Sequence, residues 1–242
     1  MDAVVDFHVA GAAAAAAEGR LHVTMTYAQS LDGCISAVRG QPTLLSSPES
    51  MTMTHQLRTL HDGILVGIGT ITADDPSLTV RLVEGPSPQP IVVDPHLMLP
   101  ITCKLLTLPT CKRPWILTPR DDWDSEKLQR KSALEALGAR IIVCDAATSA
   151  TAKHISWRDA FGKLHALGLM TLMIEGGAAI LTSCLEEHAR MPVLNHAIIT
   201  IAPIYIGGLH AVTRLITEAS NPRLQQVQSC AFGTDIVILG KF

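Results

Sequence analysis

The sequence predicts an α/β fold in which a mostly parallel central sheet carries an antiparallel edge and helices cover both faces. Three observations point there. Through the middle of the chain, short β-branched runs alternate with longer segments that begin on helix caps and stop at glycine. Near the end, strand-like runs at 195–201 and 234–239 come without an intervening helix pattern, which calls for antiparallel pairing. No internal repeat, low-complexity linker or charge block divides the 242 residues, so one domain is expected.

Taken in order, residues 1–20 lack a basic start, and their apolar character rests on alanine. That does not read as a convincing signal peptide or as a membrane span, and a mobile extension or short helix outside the catalytic core is expected, leaving 21–242 as the working domain. Residues 21–28 alternate His22, Thr24 and Thr26 against Val23, Met25 and Tyr27, as a strand with one buried face does. A turn follows at Ser30-Leu31-Asp32-Gly33, where Asp32 is suited to capping backbone N–H groups rather than to catalysis. Ser47-Pro48 starts a helix that runs to about His61. Arg58 falls late on it, a position that the helix dipole favours for any cation.

The stretch GILVGIGTITADDPSLTVR, residues 63–81, concentrates the most chemistry. Ile64, Leu65 and Val66 read as a buried strand, broken at Gly67 and Gly69, where a missing Cβ lets backbone turn or approach a ligand. Thr70, Thr72, Asp74 and Asp75 follow. Polar groups just past a buried strand lie where α/β proteins place ligands. An ordinary strand-to-helix turn capped by Thr70 fits the spacing equally well. A Rossmann fingerprint does not, because Thr72 stands where its third glycine belongs.

Short strands are then expected at 91–94 and 115–118, joined by a proline-punctuated connection. Asp124 opens a helix that stops at Gly138, and strand 140–144 follows. Helix 157–167 stops at Gly168, and strand 170–174 runs into Glu175-Gly176-Gly177, on which helix 178–189 begins. Exposed N–H groups at a helix start make an anion site suited to a pyrophosphate. A tight glycine turn would look similar, and the presence of the 63–81 stretch favours the dinucleotide reading. Glu175 either satisfies local N–H groups or accepts hydrogen bonds from a substrate. Thr118-Pro119-Arg120 offers a hydroxyl and a guanidinium where the 2′-phosphate of NADPH has room, or is simply an exposed loop.

Composition bounds the function. Hydrophobic residues make up 48% and charged ones only 17%, with a net charge of −3. Nothing electrostatic suggests nucleic acid or an anionic membrane. Six cysteines show neither a C-x-x-C pair nor metal-ligand spacing, so no metal is expected and reduced thiols in a cytoplasmic protein are.

Read as whole strings, five segments add a sharper expectation: YAQSLDG at 27–33, SSPESMTMTHQLRTLHDG at 46–63, the 63–81 stretch, MIEGGAAIL at 173–181 and IAPIYIGG at 201–208. In this order they resemble the riboflavin-pathway reductases, the family of the reductase half of bacterial bifunctional RibD and its stand-alone fungal and archaeal relatives. The resemblance covers about residues 21–240. It implies a dihydrofolate-reductase-like single domain, assembled as a homodimer, with NADPH as cofactor.

The resemblance further implies that Thr70 and Asp74 bind the dinucleotide together with Gly176, Gly177, Ala178, Ala179 and Ile180. Arg58, Arg81, Leu78 and Glu175 fall on its substrate side, the two arginines suiting a ribose 5-phosphate. Asp74 and Glu175 are the candidate proton donors. Leu44 departs from the many relatives with tryptophan at the matching position. The zinc deaminase signature of bifunctional relatives is absent, which points to a reductase alone. The implied substrate is 2,5-diamino-6-ribosylamino-4(3H)-pyrimidinone 5′-phosphate, reduced at C1′ of its ring-opened imine by direct hydride transfer. Two competing readings remain at this stage. A folate-type reductase on the same fold would need a buried acid on the helix at 48–61, where only Glu49 is on offer. A non-catalytic dinucleotide-binding protein would have no need of Arg58, Arg81 and Glu175 together.

Overall fold

The computed structural model describes residues 1–41, 43–120, 123–147, 155–216 and 221–242. Helix α1 (Asp2–Ala17) leads into strands β1 (His22–Ser30) and β2 (Cys34–Ser36), then α2 (Pro48–Thr59), β3 (Gly63–Gly67) and α3 (Ile68–Asp74). Next come β4 (Gln89–Val93), the short α4 (Lys104–Thr107), β5 (Trp115–Pro119), α5 (Ser125–Ala136) and β6 (Arg140–Cys144). The chain continues through α6 (Trp157–Ala166), β7 (Thr171–Ile174), α7 (Ala178–Arg190), β8 (His196–Ala202) and β9 (Leu209–His210), and ends with β10 (Gln225–Phe232) and β11 (Asp235–Lys241). Nine strands form one sheet in the order β10-β11-β8-β1-β7-β3-β4-β5-β6, parallel from β8 to β6, with β11 and β10 added antiparallel. The expected architecture is therefore observed.

Alternation sorts the side chains between two faces. Leu65, Ile91, Val93 and Leu117 pack with Trp157, Phe161, Leu164 and Leu181 of α6 and α7. Ile64, Val66, Val92 and Ile116 point the other way, onto Ile71, Leu105 and Leu134 of α3, α4 and α5. Two caps work as the sequence suggests: Ser47 Oγ accepts from Ser50 N at the start of α2, and an Asp124 carboxylate oxygen accepts from Lys127 N at the start of α5. Asp32 also caps as expected. Its carboxylate takes a hydrogen bond from the Ser30 hydroxyl and another from Gly207 N at 2.7 Å, which together hold it down to about 2. The bond to Gly207 pins the turn after β1 to the IAPIYIGG loop after β8.

Residues 1–20, expected to lie outside the core, are a packed element. Val4 and Phe7 of α1 join Met53 and Leu57 of α2 and Met173, Ile198, Val237 and Leu239 of the sheet in one apolar cluster. His8, His22, His61 and His196 pack beside that cluster, each 4% exposed or less. Ring centroids lie 4.1 Å apart for His8 and His61, and 4.7 Å for His22 and His196. Burial keeps these imidazoles neutral: it lowers His8, takes His61 well below its usual value, and brings His196 to about 4 and His22 to about 3.

The unfolded chain titrates these histidines near 6.5. Their stabilising contribution is therefore complete above that pH and is lost as pH falls from about 6.5 towards the folded values. The urea midpoint is expected to drop between pH 7 and pH 5, with unfolding at pH 5 taking up roughly one proton at each of His22, His61 and His196. A midpoint that is flat across this range would show that the cluster is not buried neutral.

Candidate active site

All the parallel strands end on the same edge of the sheet, where such folds bind ligands. A cleft of about 1030 Å3 lies there, lined by Tyr27 and Ala28 at the end of β1, Gly67 at the end of β3, Val93 at the end of β4 and Glu175 just past β7. Two glycine turns form its middle. Gly67 caps α3, so Thr70 sits inside that helix and is not its cap. Gly177 caps α7 with φ +88°, next to Gly176 at φ +86°, a region open to glycine and strained for other residues. The two turns abut: a Cβ built on Gly177 would lie 3.3 Å from Thr70 Oγ1, and one on Gly67 would lie 3.0 Å from Ile180. Segments more than a hundred residues apart in sequence thus make one cradle.

The cradle fits a dinucleotide pyrophosphate. Backbone approaches from two glycine turns without side chains in the way, and the first-turn N–H groups of α7 at Ala178 and Ala179 have no partner one turn back in their own helix. Thr70, Thr72 and Asp74 of α3 face the same cleft as Gly176, Gly177, Ala178, Ala179 and Ile180. Partial burial raises the Asp74 carboxyl above its ordinary value.

On the other side of the cradle, Arg58 and Glu175 are locked to each other. Nε and Nη2 of Arg58 donate to the two carboxylate oxygens of Glu175, both at 2.7 Å, and Nη1 donates to Thr79 O at 3.0 Å. Burial opposes the guanidinium charge, but the Glu175 carboxylate more than offsets it and leaves Arg58 raised overall. Glu175 N also donates to Leu65 O at 2.9 Å, fixing the residue to β3. Each Glu175 oxygen thus accepts one hydrogen bond from Arg58. Both residues line the cleft, on the side where they were expected, and each is engaged by the other. Their side chains, only 10% and 15% exposed, form a neutral floor to the cleft.

Leu78 and Arg81 do not line the cleft. Leu78, 3% exposed, packs with Ile64, Val66 and Ile71 beneath it. Arg81 is exposed and donates to Ser77 Oγ, while its backbone N donates to His55 Nδ1. Both residues follow α3 in a segment that α2 ties down through the Arg58–Thr79 and His55–Arg81 bonds. The Thr118 hydroxyl is likewise committed, fully buried and donating to Pro95 O at 3.1 Å, so only Arg120 of that triplet is exposed. Leu44 is 85% exposed.

Sequence reasoning missed the wall formed by Ser36 at the end of β2 and by Arg39, Gln41 and Thr43 after it, together with Met51 and Thr54. Arg39 is the other arginine in the cleft, and its neighbour Gly40 marks the turn that presents it. The available signal was an arginine-glycine pair in a polar loop, which is weak.

Residues 21–238 match the family profile described as the RibD C-terminal domain. The chain belongs to that family. As a member of the RibD C-terminal domain family, it is 36% identical over 202 residues to the 2,5-diamino-6-ribosylamino-4(3H)-pyrimidinone 5′-phosphate reductase of Debaryomyces hansenii, covering 78% of this chain and 77% of that one. It is 32% identical to the riboflavin biosynthesis protein RibD of Aquifex aeolicus, covering 92% of this chain but 58% of that protein. Among solved structures, the riboflavin biosynthesis reductase Rib7 of Saccharomyces cerevisiae superposes with a TM-score of 0.69 at 29% identity, covering 92% of this chain and 90% of that one. The family match begins at Leu21, so the packed helix α1 lies outside it.

Proposed function

We propose that this chain reduces 2,5-diamino-6-ribosylamino-4(3H)-pyrimidinone 5′-phosphate, converting its ribosyl group to ribityl in riboflavin biosynthesis with NADPH as reductant. Supporting the reaction are the names carried by the Debaryomyces and Saccharomyces relatives, the latter 30% identical over 240 residues. The observation that carries it within this molecule is the joint cradle, in which Gly177 abuts Thr70 at the strand ends.

Thr70 and Asp74 hold the dinucleotide from α3, and the 176–180 turn takes its pyrophosphate. A nicotinamide bound there supplies the hydride for C1′ of the ring-opened substrate. The Arg58–Glu175 pair shapes the floor against which the substrate orients, and such orientation is the larger part of what a hydride transfer asks of a protein. Arg39 at the rim takes the 5′-phosphate through charge-assisted hydrogen bonds, in place of Arg58 and Arg81. Asp74, with its raised carboxyl, is the remaining proton donor in the cleft. Arg120 at the end of β5 favours NADPH over NADH. The working unit is a cytoplasmic homodimer formed through the β10–β11 edge, where Val227 and Ile236 are more than half exposed.

A folate-type reductase is the less suited reading, because Glu49 is exposed in the first turn of α2 and not buried in the cleft. Thr70→Ala and Asp74→Ala are each expected to weaken NADPH binding about tenfold while leaving the urea midpoint in place, the loss of one good hydrogen bond. Fluorescence titration of NADPH checks this, and unchanged affinity in both variants would remove α3 from the cofactor site.

A further inference from the structure

The half of the cleft next to α2 holds a hydroxyl that the fold does not use. On β8, His196, Ile198 and Thr200 alternate onto one face of the sheet. Phe7 of α1 stacks on His196, and Ile198 packs with Met53 and Leu57 of α2. Thr200 carries that face to the edge where the cleft lies. It is in register with Ala28 of β1, and both residues line the cleft.

Only 4% of Thr200 is exposed, yet its hydroxyl has no hydrogen-bond partner among the described residues. Other hydroxyls on this side are committed to the fold: Thr54 donates to Ser50 O, Ser50 to Phe232 O, and Thr24 Oγ1 bonds to His61 Nε2. Buried polar groups are nearly always paired, so an unpaired one in a cleft wall is placed for a ligand.

The position of Thr200 decides which group it meets. The cradle lies between β3 and β7, whereas β8 is two strand spacings, about 10 Å, beyond β7. Its hydroxyl therefore faces what lies beside the cofactor and not the pyrophosphate. Arg39, which takes the 5′-phosphate in the reading above, is exposed at the rim. A phosphate dianion is costly to bury and stays there, so the uncharged base is the part that descends to so enclosed a side chain. A pyrimidinone with two amino groups presents donors and acceptors along its edge, and a threonine hydroxyl answers either.

We propose that the Thr200 hydroxyl hydrogen-bonds the polar edge of the pyrimidinone and so fixes where the base lies while C1′ meets the cofactor. The inference rests on the reading of the cleft as that of a pyrimidinone phosphate reductase.

The test compares the parent with Thr200→Val and Thr200→Ser by steady-state kinetics, by inhibition with ribose 5-phosphate, which lacks the base, and by urea denaturation. Thr200→Val is expected to raise KM for the pyrimidinone substrate about tenfold, the loss of one neutral hydrogen bond, with kcat little changed. Thr200→Ser, which keeps the hydroxyl, is expected to stay near the parent KM. Inhibition by ribose 5-phosphate is expected to be equal in all three. The urea midpoint of Thr200→Val is expected to hold or rise, because a methyl replaces a buried hydroxyl that makes no bond within the protein. Weaker substrate binding in a protein at least as stable is not what the loss of a packing role gives. The proposal alone is overturned if the parent is active and Thr200→Val keeps its KM, if ribose 5-phosphate inhibition weakens as much as substrate binding does, or if the urea midpoint falls in step with the rise in KM. A parent that does not oxidise NADPH with this substrate contradicts the reading of the cleft itself, and the proposal falls with it.

Discussion

Replacing Arg58 with alanine is expected to destabilise the protein by about 3 kcal/mol, among the largest effects of any single substitution in the cleft. The reason lies in what is left behind. Arg58 and Glu175 are paired through two 2.7 Å hydrogen bonds in a site that is 10–15% exposed, so removing the guanidinium leaves a nearly buried carboxylate without its counter-charge. Glu175→Ala strands the guanidinium in the same way. The double variant Arg58→Met with Glu175→Met leaves no unpaired charge and is expected to lose clearly less than the sum of the two single losses. Urea denaturation of the two singles and the double measures this coupling. Single variants within about 0.5 kcal/mol of the parent would show that the pair is an ordinary surface contact. Arg58→Lys keeps the charge but not the fork, so it is expected to retain part of the stability and lose turnover more than NADPH affinity.

Gly177→Ala carries the second large effect, and it falls on the cofactor. At φ +88° and ψ 122° an alanine costs about 1–3 kcal/mol unless the peptide rotates. Rotation would turn the N–H groups of the cradle away from the anion, and a methyl that stays would press on Thr70 Oγ1 at 3.3 Å. Either way, NADPH affinity is expected to fall roughly ten- to a hundredfold, the equivalent of that strain. Equilibrium titration gives the answer, with Gly69→Ala as control, because a Cβ there meets nothing within 4 Å. Equal losses in the two variants would mean that general loop flexibility, and not the cradle, governs binding.

What was legible in the sequence follows from how local the signals are. β3 is read correctly because Ile64, Leu65 and Val66 are all buried between two helical layers, so the strand is one apolar run. The cradle is legible only as two glycine turns with polar neighbours past buried strands, each of which an ordinary turn would also explain; that they abut is visible in the structure alone. β10 was not legible: its first five residues are exposed, and Gln225-Gln226-Val227-Gln228 has no buried face to impose alternation. Helix α1 reads as an appendage in the sequence because its apolar character rests on alanine. Its attachment depends on Val4, Phe7 and His8, whose partners come from distant strands and from α2.

The pairing of Arg58 with Glu175 was hidden for the same reason. Arg58 and Glu175 were each identified as site residues, but they are 117 positions apart, and only the sheet order, with β3 beside β7, reveals that each is the other's partner. Leu78 failed for a related reason. Its backbone turns at φ +52°, which sends the side chain beneath the cleft, and no residue pattern announces that turn.

The central claim is hydride transfer to the ribosyl carbon, and isotope transfer tests it most directly. The full chain is incubated with the pyrimidinone ribosylamine 5′-phosphate and NADPH deuterated at the transferable C4 position, and the product is read by mass spectrometry and NMR. The account predicts a ribityl product carrying a single deuterium at C1′, formed in step with NADPH oxidation. Product without deuterium at C1′, or no oxidation with this substrate while dihydrofolate is reduced, would contradict it.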